Sequence, residues 1–135
     1  MTRVFFYRRK QRHIGSENVV EIRFGSCDEV RAFMEGLNGL VAGSQQSGDL
    51  SELLPVEYDA PVKSLVFGLR DRQPRENVVK VEEDCRGLLS IQWTATKDAF
   101  ADALMFLEPL AKSSGGHQYL TSAADGAEIV ALHYK

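Results

Sequence analysis

The sequence predicts a single α+β domain, residues 1–135, in which a mostly antiparallel sheet of about six to seven strands carries two helices on one face. Several short segments alternate apolar and polar residues, which is typical of strands that are buried on one side. Two longer segments carry an apolar stripe at helical spacing. With 135 residues, of which 44% are hydrophobic and 26% charged, the chain is long enough to bury a core without disulfides or a structural metal.

Two strands and a helix are predicted for the first part of the chain. Apolar alternation indicates strands at 3–9 and 19–24. Ser26 and Glu29 then fit a capping box, in which the serine oxygen accepts an orphan amide hydrogen and the glutamate reaches back. We expect the helix to end at Gly43, because glycine is common just after helix termini. The apolar stripe of this helix comprises Val30, Phe33, Met34, Leu37, Leu40 and Val41.

The segment 43–61 is the least regular part of the sequence, and regular patterns resume after it. Pro55 and Pro61 leave room for only one short turn, around residues 50–54. Thr96 is expected to cap the start of a second helix, with Asp98 favourable in its first turn. The last turn of this helix is expected to be kinked or separate because Pro109 lies within it. The strands predicted around this helix are 63–69, 78–83, 88–94, 117–122 and 128–134.

The two strand-to-helix segments follow one pattern. Their apolar strand residues correspond at an offset of 69 positions, and their helical stripes correspond at an offset of 70. This spacing predicts a ββαβ unit that is used twice, with halves 1–70 and 77–135. The corresponding strand residues are Val20, Ile22 and Phe24, and Leu89, Ile91 and Trp93. The second helical stripe comprises Phe100, Ala103, Leu104, Leu107, Leu110 and Ala111.

The terminal hairpin leaves two registers open for its histidines. If Asp125–Gly126 is a two-residue loop, His117 and His133 point to opposite faces of the sheet. If a three-residue loop places Gly126 in a bulge, the two histidines face each other. We favour the second register, because it gathers a coherent set of core residues on the other face. That set is Leu120, Val130, Leu132 and Tyr134.

Metal binding, nucleophilic catalysis and phosphate binding have no recognisable motif in this sequence. His13, His117 and His133 lack the spacing of a metal site, so neither a metal nor another cofactor is predicted. A G-x-S-x-G elbow and a P-loop are both absent from the sequence. Cys27 occupies the first helical position, where the helix dipole favours a thiolate. A small residue just inside a capping box is the simpler interpretation.

The cysteines and the hydropathy of the chain indicate the cellular compartment that we expect. Cys27 and Cys85 form neither a disulfide framework nor a metal-ligand spacing, and a bond between the two is left open. No apolar run reaches the length of a transmembrane helix, and the N-terminus lacks the pattern of a secretory signal. We therefore expect a cytoplasmic protein with no membrane partner.

Charge is distributed unevenly along the chain, whose net charge is −3. A basic cluster near the N-terminus is interpreted as a solvated turn, with phosphate contact as the alternative. One face of the first strand also combines Arg3, Phe5, Tyr7 and Arg9, as an RNA-binding sheet would. The same pattern suits an ordinary amphipathic strand, so nucleic acid is not the expected partner. The basic cluster comprises Arg3, Arg8, Arg9, Lys10 and Arg12.

Acidic residues form two groups that can dock on a basic partner. One group lies at the tip of the predicted 78–94 hairpin, and the other lies within the irregular segment. A solvated surface is the plainer interpretation of both groups. The candidate partner-binding residues are Glu82, Glu83 and Asp84, and Asp49, Glu52, Glu57 and Asp59.

The last third of the chain resembles a known class of small proteins. The segment WTATKDAFADALMFLEPLAKSSGGHQYL, followed by a short hairpin, is similar to segments of small uncharacterised bacterial proteins. Some of these are similar to immunity proteins that neutralise a cognate toxin. The resemblance implies a protein partner, a toxin in the narrowest form of the hypothesis. It assigns no contact residues, because such proteins use individual surfaces.

The leading functional hypothesis is a non-enzymatic protein-binding module, with an immunity-type inhibitor as its sharpest form. Such an inhibitor would cover the active cleft of a basic partner with an acidic surface. The first alternative is a small enzyme or ligand binder with a pocket near His117, Tyr119 and His133, beneath the 43–61 segment. The second alternative is nucleic-acid binding through the N-terminal basic cluster. The sequence does not indicate an oligomeric state.

Overall fold

The fold combines strands and helices, which confirms the α+β class. The structure, a computed structural model, describes residues 1–11, 15–71, 75–113 and 115–134. Within these ranges the strands are β1 Thr2–Gln11, β2 Gly15–Phe24, β3 Ser47–Asp49, β4 Val56–Tyr58, β5 Val62–Leu69, β6 Asn77–Glu83, β7 Leu89–Ala95, β8 Gly116–Tyr119 and β9 Glu128–His133. The helices are α1 Cys27–Val41, α2 Leu50–Leu53 and α3 Lys97–Lys112, and a 3-10 turn spans Ala123–Asp125.

The strands form two mixed sheets. The five-stranded sheet has the order β4-β1-β2-β9-β8, and the four-stranded sheet has the order β3-β5-β7-β6. The pairs β1–β4, β2–β9 and β5–β7 are parallel, whereas the other pairs are antiparallel. The expectation of one mostly antiparallel sheet was therefore wrong. The last strand of each half instead pairs with the other half of the chain, β5 with β7 and β9 with β2, which makes two sheets, each with a parallel central pair.

Connectivity follows a two-fold repeat. Each half runs strand, strand, helix, strand, strand, as β1-β2-α1-β3-β5 and as β6-β7-α3-β8-β9. The first hairpin of each half pairs with the last two strands of the other half. The repeat unit is thus ββαββ, one strand longer than the spacing predicted. Each half also has an insertion between its last two strands. The first insertion contains β4, which pairs with the edge of β1, and the second contains the 3-10 turn, which lies against β6.

Side-chain register supports the same repeat. In each sheet, a glycine on the third strand of one half lies opposite a ring on the last strand of the same half. That ring also lies beside an aromatic residue on the second strand of the other half. The two rows are Gly48–Phe67–Trp93 and Gly116–His133–Phe24. Phe24 and Trp93 are the residues that the sequence offset of 69 had paired.

Aromatic residues join the two sheets and the long helices in one buried cluster. The Phe33 ring on α1 lies 5.7 Å from Phe24 in the five-stranded sheet and 5.7 Å from Phe67 in the four-stranded sheet. The Trp93 ring lies 4.9 Å from Phe100 of α3. Burying each such side chain contributes about 1.5–3 kcal/mol, so the cluster is the main source of stability.

Both long helices begin at the predicted caps. The Ser26 hydroxyl accepts a hydrogen bond from the Glu29 amide at 3.1 Å, and Thr96 caps α3 in the same way. The Glu29 carboxylate pairs with the Met1 amino group at 3.2 Å and accepts a hydrogen bond from Thr2, so the predicted return bond from Glu29 to Ser26 is not found. Helix α3 continues through Pro109 to Lys112 as one α-helix, so the separate last turn was not found.

The segment 43–61 holds more regular structure than expected. The turn predicted at residues 50–54 is present as α2, and the Asp49 carboxylate caps it by accepting from the Ser51 amide at 3.0 Å. Strands β3 and β4 lie on either side of α2. Each has three residues, which is too short for apolar alternation to reveal it.

A matched pair of glycines tests the packing of the 3-10 turn on β6. Gly126 and Gly115 have φ angles of +114° and +97°, but only at Gly126 would an added Cβ collide with the Val79 carbonyl oxygen. We expect Gly115→Ala to lower the free energy of unfolding by about 1–2 kcal/mol through φ alone. Gly126→Ala should cost about 1–3 kcal/mol more, because the turn must move off β6.

Urea unfolding followed by fluorescence of Trp93, the one tryptophan of the chain, measures both glycine variants. Equal losses of stability in the two variants would contradict the contact between the 3-10 turn and β6.

Candidate functional site

The two long helices form an open groove on the surface, which we call the helical groove. Its volume is about 650 Å³. Met105 at its edge is 71% exposed, and the neighbouring Phe106 is 43% exposed. Phe106 lies about 100° around α3 from Met105 and does not line the groove. The apolar patch of the groove is therefore Met105 together with the partly buried Met34 and Leu104. The residues that line the helical groove are Met34, Glu35 and Asn38 of α1 and Leu104, Met105 and Glu108 of α3.

The helical groove lies where the two halves of the repeat meet. Each residue on the α1 wall has its counterpart on the α3 wall at an offset of 70 positions. The pairs are Met34 and Leu104, Glu35 and Met105, and Asn38 and Glu108. The groove therefore repeats in shape but not in charge.

Carboxylates line the rim of the helical groove. Glu35 is exposed on the α1 wall, and Glu108 of the α3 wall forms an exposed ion pair with Lys112 at 3.4 Å. Glu35 also borders a second cleft, of about 460 Å³, together with Glu52. The acidic surface thus extends from Glu108 across α1 to α2. The strongly exposed Met105, the partly buried Met34 and Leu104, and this rim are the chemical signature of the site.

Sequence reasoning missed the helical groove. Met34 and Leu104 were assigned to buried stripes, but both are only partly buried. A helix with a single apolar stripe does not account for Met105 and Phe106, which lie outside the second stripe. An extra apolar residue beside stripes that repeat at an offset of 70 was the only indication of a groove in the sequence.

The acidic group at the β6–β7 turn is partly structural. The Asp84 carboxylate pairs with Lys63 at 2.9 Å and accepts hydrogen bonds from the amides of Arg86 and Leu88. The Lys63 bond and these amides lower the pKa of Asp84 to about 2. Asp84 therefore stabilises the turn, while Glu82 and Glu83 are exposed at the end of β6.

The other predicted acidic group is also divided. Asp49 caps α2, and Glu57 and Asp59 both approach Arg3, at 3.8 and 2.9 Å. Glu52 alone in this group borders the cleft beside α1. The seven residues thus lie at separate places on the molecule, rather than on one docking surface.

The outer face of the five-stranded sheet carries the arginine–aromatic pattern of β1. Arg3, Phe5, Tyr7 and Arg9 share this face, as the alternation predicted. The guanidinium groups of Arg3 and Arg23 lie 5.2 and 4.7 Å from the centre of the Phe5 ring. The face also carries the carboxylates of Glu17, Glu21, Glu57 and Glu128.

These carboxylates offset the arginines of the outer face. Arg9 pairs with Glu128 at 3.1 Å, and Arg23 pairs with Glu21 at 2.6 Å. A phosphate backbone on this face would meet as many carboxylates as guanidinium groups. Arg8 instead borders a cleft between the sheets with Phe6 and Glu83. Lys10 follows Arg9 at the exposed end of β1, and Arg12 lies outside the described residues.

The favoured register of the terminal hairpin was wrong. His133 faces Gly116, and His117 faces Leu132, so the two histidines lie on opposite faces of the sheet. The connection between β8 and β9 contains the 3-10 turn and is longer than either loop considered. Its hydrogen bond from the Leu120 amide to the Ile129 carbonyl sets the register.

The predicted pocket near His117 is therefore divided as well. The His117 and Tyr119 rings pack edge to face at 5.5 Å on the outer face, beside Tyr7 and Tyr134. The hollow between them has a volume of about 200 Å³, and its lining comes from the five-stranded sheet and Tyr134 rather than from the 43–61 segment. His133 is buried on the inner face.

Cys27 and His133 lie close together without forming a catalytic pair. The Cys27 Sγ is 4.0 Å from the His133 Nδ1, which is also 3.0 Å from the Leu110 carbonyl oxygen. A carbonyl oxygen only accepts, so Nδ1 carries the hydrogen and cannot take a proton from the thiol. Cys27 and Cys85 are both free thiols.

In the part of the chain that the structure describes, no three His, Cys, Asp or Glu side chains gather where they could hold a metal ion. His13 lies outside these residues. None of the helices in the same ranges is long and apolar enough to cross a membrane.

Comparisons with known proteins give no second line of evidence about the site. No model of a protein family, no curated protein and no solved structure matches the chain. The helical groove and the outer face are therefore interpreted from their own residues.

The role of Asp84 is tested by the pH dependence of stability. Its pKa is depressed on folding from 3.8 to about 2, so its stabilising effect is present above pH 3.8 and is lost as the pH falls towards 2. We expect Asp84→Asn to be less stable than the wild type at pH 7, because the Lys63 ion pair is lost. The difference in the free energy of unfolding should shrink between pH 4 and pH 2.

Glu82→Gln, an exposed change two residues away, is the control and should leave stability nearly unchanged at every pH. A wild-type advantage over Asp84→Asn that persists unchanged at pH 2 would show that charge is not the cause.

Proposed function

We propose that this chain is a non-enzymatic protein-binding module that binds a basic partner through its helical groove. The observation that carries the proposal is an apolar floor, on which Met105 is strongly exposed, beside a carboxylate rim at Glu35 and Glu108. Apolar anchors inside a polar rim are the usual anatomy of a protein interface.

Each part of the helical groove has a distinct role in this proposal. Burying the exposed surface of Met105, with Met34 and Leu104 beside it, supplies affinity at about 25 cal/mol per Å² of apolar area. Methionine side chains also adapt to the shape of a partner. The carboxylates of Glu35, Glu52 and Glu108 act mainly on association, because a charged rim attracts a basic surface before contact.

An immunity-type inhibitor is the sharpest form of this proposal. In that form the acidic helical face would be drawn to the basic rim of a toxin's active cleft and would cover it. The mechanism needs no chemistry from this chain. It is supported by the resemblance of the segment 93–120 to small bacterial proteins, some of them similar to immunity proteins, although that resemblance assigns no contact residues to the groove.

Two other functions have less support. A ligand pocket at His117 and Tyr119 would lack His133 and would offer about 200 Å³, below the roughly 300–1,000 Å³ of typical ligand sites. Nucleic-acid binding on the outer face would require phosphates to displace the glutamates paired with Arg9 and Arg23.

Association kinetics test the proposal. The wild-type chain, immobilised, captures candidate partners from native cytoplasm, and the association rate of a purified partner is measured across ionic strength. We expect Glu35→Gln/Glu108→Gln to lower this rate by about 3- to 10-fold at low salt and to flatten its salt dependence. The control is Glu82→Gln/Glu83→Gln, which removes the same charge at the β6–β7 turn and should change the rate little.

An effect confined to the Glu82/Glu83 variant would place docking at the turn and contradict the groove. A rate that does not depend on salt in the wild type would remove the steering role of the rim.

A further inference from the structure

We propose that the segment received by the helical groove is a basic amphipathic helix of the partner. Its apolar side would lie on Met34, Leu104 and Met105, and its lysines or arginines would reach Glu35 and Glu108. This inference rests on the proposed function, since it names the kind of segment that the same groove binds.

The shape of the helical groove favours a helix. The groove runs between two packed helices and is open to solvent, so an occupant lies along it rather than entering a cavity. Rows of side chains on two such walls form a furrow into which a third helix packs, with axes about 8–10 Å apart. The volume of about 650 Å³ accommodates several apolar side chains from one side of that helix.

Backbone hydrogen bonding argues against an extended peptide. Both walls are α-helices, whose interior amide and carbonyl groups are paired within the helix, apart from the Met105 carbonyl, whose usual donor position is Pro109. An extended segment would lay its own unpaired backbone groups over the apolar floor of Met34, Leu104 and Met105. Leaving such groups without a partner costs about 1–3 kcal/mol each, whereas a helix satisfies them internally.

The charge of the rim requires a basic helix. Glu35 lies on one wall and Glu108 on the other, so cationic side chains are favoured on both sides of the apolar strip. The Lys112 partner of Glu108 is 72% exposed, and an exposed pair of this kind is worth about 0–1 kcal/mol. An incoming lysine or arginine can therefore replace it at little cost.

A second copy of this chain is disfavoured by the same charges. In a two-fold dimer through this face, Glu35 and Glu108 would meet the same carboxylates of the other copy. Like charges brought together in an interface oppose association. Charge complementarity thus selects a cationic partner over self-association.

Broken symmetry in the helical groove gives the bound helix a direction. The repeat relates Glu35 to Met105 and Glu108 to Asn38, so only Met34 and Leu104 are matched in apolar character. A helix turned end for end would keep these two apolar contacts but place an apolar side chain against Glu35 and its cations against Asn38 and Met105. The charges therefore distinguish two orientations that the shape alone would allow.

Peptide binding to the full chain tests this inference. The probe is a labelled 18-residue peptide with leucines along one helical side and lysines elsewhere, and binding is followed by fluorescence anisotropy. We expect a Kd on the order of 1–100 μM at low salt, as for weak helix-in-groove contacts. A peptide of the same composition without an apolar side, and one with glutamate in place of lysine, should bind at least tenfold more weakly.

Variants of the chain localise the peptide. Met105→Asp should weaken binding of the leucine–lysine peptide at least tenfold, and because Met105 is 71% exposed the fold should tolerate the change. Tyr119→Asp adds the same charge at a residue that is 50% exposed on the outer face of the sheet, and it should bind as the wild type does. Far-ultraviolet circular dichroism and Trp93 fluorescence confirm that both variants are folded.

Several outcomes would overturn the inference. If the peptide without an apolar side binds as tightly as the leucine–lysine peptide, the chain recognises charge alone. Unchanged binding by Met105→Asp would place the peptide elsewhere, and a wild-type dimer abolished by Met105→Asp would make a second copy the occupant. If a captured partner depends on Glu35 and Glu108 but no helical peptide binds, this inference fails while the proposed function stands.

Discussion

The parallel pairing of β2 with β9, and of β5 with β7, is the constraint on which the rest of the structure depends. Because these pairs join strands from different halves of the chain, neither half completes a sheet alone. The exchange brings α1 and α3 side by side and places Phe33 between Phe24 and Phe67, one from each sheet. The core, the helix pair and the groove above it all follow from this exchange of strands.

The same arrangement separates two kinds of surface. On the outer face of the five-stranded sheet, Arg9 and Arg23 are paired with glutamates of neighbouring strands, so its charge is largely satisfied within the fold. On the helical side, Met105 remains strongly exposed beside a carboxylate rim, in which Glu108 has an exposed partner, Lys112, and Glu35 lies on the opposite wall. Arginines that are paired within the sheet contribute little to steering, whereas an acidic rim beside an apolar floor favours a basic partner. This contrast favours the helices over the sheet as the binding surface.

Local patterns in the sequence predicted many elements of the fold. The Ser26 and Thr96 caps, the helical stripes and the correspondence of Phe24 with Trp93 depend on near neighbours and were predicted. The exchange of strands depends on partners far apart in sequence, which alternation does not encode. The faces of His117 and His133 were assigned wrongly because they depend on the length of the connecting loop.

Candidate functional residues were harder to predict than the fold. Acidic residues read as free docking groups are partly used within the fold, since Asp84 holds a turn and Asp49 caps a helix. Composition cannot distinguish such a carboxylate from one that faces a partner. The helical groove needs two helices from different halves to be adjacent, so no single stretch of sequence contains it. Only Met105, an apolar residue outside the second stripe, was a local sign of the groove.

Methionine-methyl NMR of the full chain, with and without its captured partner, tests the central claim most directly. The chain has three methionines, of which Met34 and Met105 line the helical groove and Met1 lies at the N-terminus. Docking in the groove predicts that the Met34 and Met105 signals shift while the Met1 signal stays in place. A complex that forms without moving either groove signal would contradict the account.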